Sequence, residues 1–242
     1  MVHRNNSNRF WTGFFAILLV LVIASAISFV GIFSDGFTNW DIFNSIKEDP
    51  TDNKTYSICN GDFETGDLTG WVLSRGNGSD GDIGVVTEQS TYWQNTDLPT
   101  TPYGKEGNFL FSFWTWDGDE EHGQENNREV NTGTLVSSPF TLREGAIVSF
   151  LFGGGGGNED VYLEFVDFNT GEVLAKFFNT LAVDAQLVKY YYVFDELVEE
   201  TDCYVRVTDN SSSGWGCFTL DDVNVNCAKV PAGFHEAENY QK

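Results

Sequence analysis

Asn60–Trp71 reads NGDFETGDLTGW and Phe218–Val223 reads FTLDDV. These two stretches decide the fold. Each is read as a short strand carrying carboxylates, and together they open and close a long β-rich region. A cysteine stands just outside each, Cys59 immediately before the first and Cys227 shortly after the second. The layout predicts one all-β domain whose first and last strands lie side by side.

Between the two stretches, runs rich in Val, Phe, Tyr and Thr alternate with Gly, Asn and Asp, the pattern of strands joined by turns. The expected strands are Trp71–Arg75, Asp82–Glu88, Asn108–Trp114, Thr134–Leu142, Ile147–Phe152, Val161–Asp167, Glu172–Phe178, Leu187–Phe194, Tyr204–Thr208 and Phe218–Val225. Asn169-Thr170-Gly171 is a tight turn, and Leu181–Gln186 has room for a single helical turn. Many short strands at regular spacing predict a β-sandwich or jelly roll. Gly153–Gly157 is a run of five glycines. It leads through Asn158, Glu159 and Asp160 into a strand and not a helix, which argues against a phosphate loop. A flexible turn, or a floor that a ligand can approach closely, fits it better.

The formal net charge is −23 and the pI about 4.1. Such a field repels phosphate backbones, so no nucleic acid partner is expected. Phe10–Phe33 runs without a charge and is long enough to cross a hydrocarbon core of about 30 Å. Arg4 and Arg9 precede it, while Asp35, Asp41, Glu48 and Asp49 follow. The positive-inside rule therefore predicts a single-pass protein with a cytoplasmic N-terminus and its bulk outside, held in the bilayer through residues 10–33. A cleaved signal peptide is the rival reading, because Ala24-Ser25-Ala26 has the small-x-small cleavage pattern. The anchor is preferred, since the apolar run continues through Ile27, Phe29, Val30 and Ile32. The organisation expected is a cytoplasmic 1–9, an anchor 10–33, a linker 34–56, a β-domain 57–228 and a tail 229–242. In the linker, Phe37, Trp40, Phe43 and Ile46 recur every third residue, either as an interfacial helix or as a hydrophobic spacer.

Four cysteines permit three connectivities. Cys203 and Cys217 flank TDNSSSGWG, a turn-like stretch whose hairpin would join them. Cys59 and Cys227 would then link the first strand to the last. The expected bonds are 59–227 and 203–217, in an oxidising compartment. Asn53, Asn77 and Asn210 head glycosylation sequons.

NGDFETGDLTGW, GTLVSSPFTL (Gly133–Leu142), VSFLFGGGG, VYLEFVDFNTGEVL (Val161–Leu174) and VTDNSSSGWGCFTLDDV (Val207–Val223) occur in this order. The set resembles the galactose-binding-like β-jelly-roll modules appended to family 32 glycoside hydrolases, over roughly residues 58–227. More loosely it is similar to family 4, 16 and 22 carbohydrate-binding modules. The resemblance implies sugar recognition without catalysis, and a structural Ca²⁺ held by Glu64 of NGDFE and Asp221 of LDDV. Hard oxygen ligands suit that ion. The same two carboxylates can instead cap turns by accepting backbone N–H groups. Within these 242 residues no catalytic domain is expected beside the module, and the hydrophobic segment and four cysteines depart from the family pattern.

Catalysis is not expected. Neighbouring strand residues face opposite ways, so Glu159 and Asp160, even with Glu164, do not make a converging glycanase pair. His3, His122 and His235 are scattered. For a sugar partner, or the glycan of a glycoprotein, the candidate stacking rings are Trp93, Tyr103, Trp114, Trp116 and Trp215. Trp71 reads as core. The alternative to a carbohydrate binder is an assembly protein whose jelly roll contacts other subunits of a membrane complex.

Overall fold

The computed structural model describes residues 54–76, 84–86, 104–113, 131–155, 159–181, 187–212, 216 and 218–241. The run 10–33, the linker up to residue 53, Trp93, Tyr103, Trp114, Trp116, Trp215, Cys217, Asn53 and Asn77 lie outside the described residues. Regular structure among the described residues is all β. The strands are β1 (Trp71–Arg75), β2 (Gly84–Val86), β3 (Leu110–Ser112), β4 (Gly133–Ser137), β5 (Phe140–Leu142), β6 (Ile147–Gly154), β7 (Val161–Asp167), β8 (Val173–Phe177), β9 (Val188–Val193), β10 (Thr201–Asp209), β11 (Phe218–Asn224) and β12 (His235–Glu236).

Two sheets form a sandwich. One runs β1-β4-β10-β7-β8 with β5 also paired to β10, and the other runs β12-β9-β6-β11-β3-β2. The period of two along each strand builds the core between them. In β6, Val148, Phe150 and Phe152 join the core cluster, while Ser149, Leu151 and Gly153 take the other face. Phe150 meets Phe177 of the opposite sheet at 5.4 Å between ring centroids, and Phe165 meets Phe194 at the same distance. Tilted and edge-on aromatic pairs of this kind add to the burial term. Ten of the chain's 21 Phe stand in this buried core. Asn179 sews this layer: its Nδ2 donates to the carbonyls of Phe152 and Gly154, and its Oδ1 accepts the Tyr190 hydroxyl at 2.8 Å.

The expected strand Thr134–Leu142 is two strands, broken at Ser138-Pro139, because proline has no N–H for the ladder. β4 pairs with Arg206–Asp209 of β10, and β5 pairs with Thr201–Cys203. Ser137 Oγ bridges the break by accepting the Val205 N–H at 2.9 Å. β12, absent from the sequence reading, lies parallel to β9. Beyond it, Ala237 N–H donates to Tyr191 O, while Tyr240 N–H donates to Lys176 O on β8. Residues assigned to a tail thus bond to both sheets along one edge.

NGDFE is not a strand. It turns, with Asn60 and Phe63 at φ of 50° and 54°. Asn60 Nδ2 donates to the carbonyls of Asp67 and Thr69, and Asn60 Oδ1 accepts the Thr65 N–H. Phe63 is buried against Trp71 at 5.2 Å. The expected closeness of the end motifs is present as a turn against a strand: Val223 N–H donates to Gly61 O at 2.8 Å. A Cβ on Gly61 would stand 2.2 Å from Val223 O, so only glycine fits there.

The expected disulfides are not formed by the described cysteines; Cys59, Cys203 and Cys227 are free thiols. Cys59 sits against Gly70, whereas Cys227 Sγ lies 3.8 Å from Ser149 Oγ on β6. The hairpin invoked for Cys203 and Cys217 does not exist, because β10 and β11 belong to different sheets. Cys203 lies near the start of β10, away from the turn that follows its last residue.

Candidate functional site

At one end of the sandwich, the two end motifs converge on the segment Gly104–Phe109. Glu64 Oε1 accepts the N–H groups of Asn108 at 2.6 Å and Phe109 at 2.9 Å, and Oε2 accepts Asn108 Nδ2. Asp221 Oδ2 accepts the Glu106 N–H at 2.8 Å, and Oδ1 accepts the Asp222 N–H. The environments push the two carboxyls apart. The Phe109 N–H, with the Asn108 side-chain and backbone donors, holds Glu64 below its usual value against the opposing effect of desolvation. Burial pushes Asp221 up to about 7, with the negative charges of Asp222 and Glu64 adding. A β-bulge at Asp221–Asn224, with Asp222 at φ 46°, sets this turn of the chain.

Both carboxylates therefore act as caps for one loop. Each oxygen of a carboxylate offers about two lone pairs, so Glu64 Oε2 and both Asp221 oxygens retain acceptor capacity. No cluster of three or more His, Cys, Asp or Glu suited to a metal occurs among the described residues. A cation here would need main-chain carbonyls beside these two side chains, which is a set of hard oxygens.

The opposite end gathers the termini of β1, β3, β4, β6, β7, β10 and β11. Register fixes this: Arg75 and Asp209 both face Gly133, Val161 faces Asp209, Gly154 faces Phe218 and Ser112 faces Thr219. The segment carrying Trp114 and Trp116 leaves the described fold at Phe113 and returns at Asn131. The segment carrying Trp215 follows Ser212 and precedes Phe218. Phe113 N–H donates to Phe218 O, and Asn131 Nδ2 donates to Phe113 O at 3.2 Å. All these anchors belong to one rim. Trp93 and Tyr103 fall instead on the connection from Val86 to Gly104, which ends beside the Glu64–Asp221 junction.

Two groups at the rim were not legible as site residues. Asp209 and Asn131 are both fully buried, and Asp209 Oδ2 and Asn131 Oδ1 have no hydrogen-bond partner. In the sequence, Asp209 opened an ordinary turn, and only the register turns it inward. Glu164 is drawn to the outer sheet face by Arg206, whose NH2 lies 2.7 Å away, so it does not face Glu159 across a cleft. Asn210 is exposed just beyond β10, and its N–H donates to Asp160 O.

No model of a known protein family matches the chain, and none of the curated proteins matches it. Solved structures do overlap with it. TmCBM61 in complex with beta-1,4-galactotriose has a TM-score of 0.37 and 14% identity, covering 72% of this chain and 98% of the other. The K3 cleaved adhesin domain of Lys-gingipain from Porphyromonas gingivalis has a TM-score of 0.40 and 15% identity, covering 70% and 98%. A cyclase from Fischerella sp. TAU has a TM-score of 0.43 and 16% identity, covering 69% and 94%. Overlaps this loose say nothing of function.

Proposed function

We propose that this chain is a non-catalytic carbohydrate-binding module of the galactose-binding-like jelly-roll type, held at the outer face of a membrane by residues 10–33. The observation that carries the reading is the shared rim. The described residues that flank the segments bearing Trp114, Trp116 and Trp215 all lie at one end of the sandwich, which motivates assigning these three rings to one ligand. Sugar rings present C–H faces that stack on such side chains, and nearby amides and carboxylates orient their hydroxyls. The ordered blocks from NGDFETGDLTGW to FTLDDV support the same assignment.

A structural Ca²⁺ at the end-motif junction belongs to this reading. Glu64 and Asp221 would hold it with main-chain carbonyls, and its charge would neutralise the buried Asp221. Bound there, the ion would supply cross-linking and no chemistry. Screening the full chain against a glycan array, with and without EDTA, tests the proposal. Saturable binding to a defined glycan class supports it. Binding to no glycan, alongside co-purifying membrane proteins, would favour the assembly role.

A further inference from the structure

We propose that the edge shared by β8 and β9 is a peptide-binding groove, with the chain's own segment 235–240 as its displaceable occupant. Its ligand class is an extended peptide carrying a small residue, an Asn two positions on, and then an aromatic. β8 ends one sheet and, but for β12, β9 would end the other. An edge strand presents unpaired N–H and C=O groups that an added extended segment takes up. Here one segment uses both edges. β12 lies parallel to β9, with His235 against Tyr190 and Glu236 against Tyr191, and the Ala237 N–H donates to Tyr191 O at 2.8 Å. Three residues on, the Tyr240 N–H donates to Lys176 O on β8 at 2.9 Å.

The sandwich supplies a matching contact for each side chain of that pattern. Ala237 is 6% exposed and belongs to the core cluster, a position from which a long charged side chain would be driven out. The Lys176 N–H donates to Asn239 Oδ1 at 3.1 Å, and Asn239 Nδ2 donates to the Tyr192 hydroxyl at 3.3 Å. One amide thus reads both sheets, with its acceptor and its donor each in use. The Tyr240 ring packs edge-on against Phe178 at 4.7 Å between centroids. Tyr192 is itself rooted among core rings, 5.1 Å from Phe177 and 4.9 Å from Phe194. The groove's polar contact is therefore held by the sandwich and not by the occupant.

The occupant is lightly held. Its ladder is two residues long, and His235, Glu236, Glu238 and Tyr240 are exposed. The connector before it is exposed at residues 228–230, 232 and 233. That connector is also longer than its path. The Cys227 N–H is held by Ile147 O at the start of β6, while His235 pairs with Tyr190, which faces Phe150. Three strand spacings across and three residues along amount to roughly 17 Å, whereas eight Cα steps span about 27 Å. Segments with few buried contacts open well below the free energy of global unfolding. The strap can leave while Cys227 and the sandwich stay in place, and the uncovered edge accepts another strand through the same contacts. This groove stands independently of the sugar reading and of the Glu64–Asp221 junction.

Fluorescence anisotropy with a labelled peptide of residues 234–241, FHEAENYQ, tests the groove on the full chain. In the wild type the tethered strap competes at an effective concentration on the order of millimolar, which lowers the peptide's apparent affinity. Ala237→Arg in the chain keeps its own strap out and should raise peptide affinity about tenfold or more. The same peptide carrying Ala237→Arg should not bind. Adding Tyr192→Phe to the opened chain should weaken binding about three- to tenfold, through loss of the hydroxyl that Asn239 meets. No binding of FHEAENYQ to an Ala237→Arg chain with a wild-type circular dichroism spectrum would overturn the proposal, as would equal binding of the Arg peptide. Native-state hydrogen exchange reads the wild type and needs no variant to fold. The Ala237 and Tyr240 amides should exchange about a hundredfold faster than those of the β6–β9 ladder. Protection equal to that ladder would make the segment a permanent edge strand and overturn the proposal.

Discussion

Replacing Asp221 with Asn isolates what it costs to bury a carboxylate between the end motifs. Asp221 is fully buried, and burial raises its carboxyl from 3.8 to about 7. Between those values the native chain holds a proton that the unfolded chain has released. Stability therefore falls as pH rises through this window, by up to ~1.4 kcal/mol per pH unit and on the order of 4 kcal/mol in total. The contribution is fully present below the unfolded value and lost above the native one. Asn preserves one acceptor but turns its NH₂ toward one of the two N–H donors, at a pH-independent cost of about 1–3 kcal/mol. Urea unfolding of both chains, followed by far-UV circular dichroism in EDTA from about pH 4 to about pH 8, gives the difference curve. The wild-type advantage should shrink steadily and then level. Subtraction removes the repulsion common to two chains of nearly equal charge. Parallel curves would refute the reasoning, because they would mean that Asp221 is ionised and paired throughout. Added calcium should flatten the wild-type curve, since a cation favours the ionised form.

Gly61→Ala would push a methyl into Val223 O and Ile58. Overpacking and the strained Gly61–Val223 hydrogen bond should together cost about 2–4 kcal/mol, read as a lower urea midpoint; an unchanged midpoint would mean that the end motifs separate freely. Burial pushes the Cys203 thiol up to about 12, so native alkylation should spare it and label the exposed Cys59. Labelling of Cys59 only after reduction would restore the 59–227 bond.

The sequence made the strands legible wherever period-two alternation was strong. Trp71–Arg75 and Val161–Asp167 agree with the structure residue for residue, because both present apolar side chains to the core at every second position. His235–Glu236 was invisible, since the strand is only two residues long and its side chains are exposed. NGDFE was misread as a strand because its Phe is buried by a turn, held by Asn60, and not by a pleat. The cysteine pairing failed for a topological reason: consecutive strands β10 and β11 cross between sheets, which local spacing does not encode. Glu64 and Asp221 were named from the sequence as ion ligands or turn caps, and their hydrogen bonds to the segment Gly104–Phe109 needed the fold. Asp209 and Asn131 are far apart in sequence, and only the β4–β10 register brings Asp209 opposite Gly133, two residues from Asn131.

The central claim is that a carbohydrate site lies on the rim from which the Trp114, Trp116 and Trp215 segments depart. Its most direct measurement is calorimetric titration of the best glycan from the array into the full chain and its Trp→Ala variants. Trp114→Ala, Trp116→Ala or Trp215→Ala should weaken binding about tenfold, equivalent to ~1.4 kcal/mol, while Trp93→Ala should leave it unchanged. Loss of affinity in Trp93→Ala with the three rim variants unaffected would contradict the account and move the ligand to the connection between Val86 and Gly104.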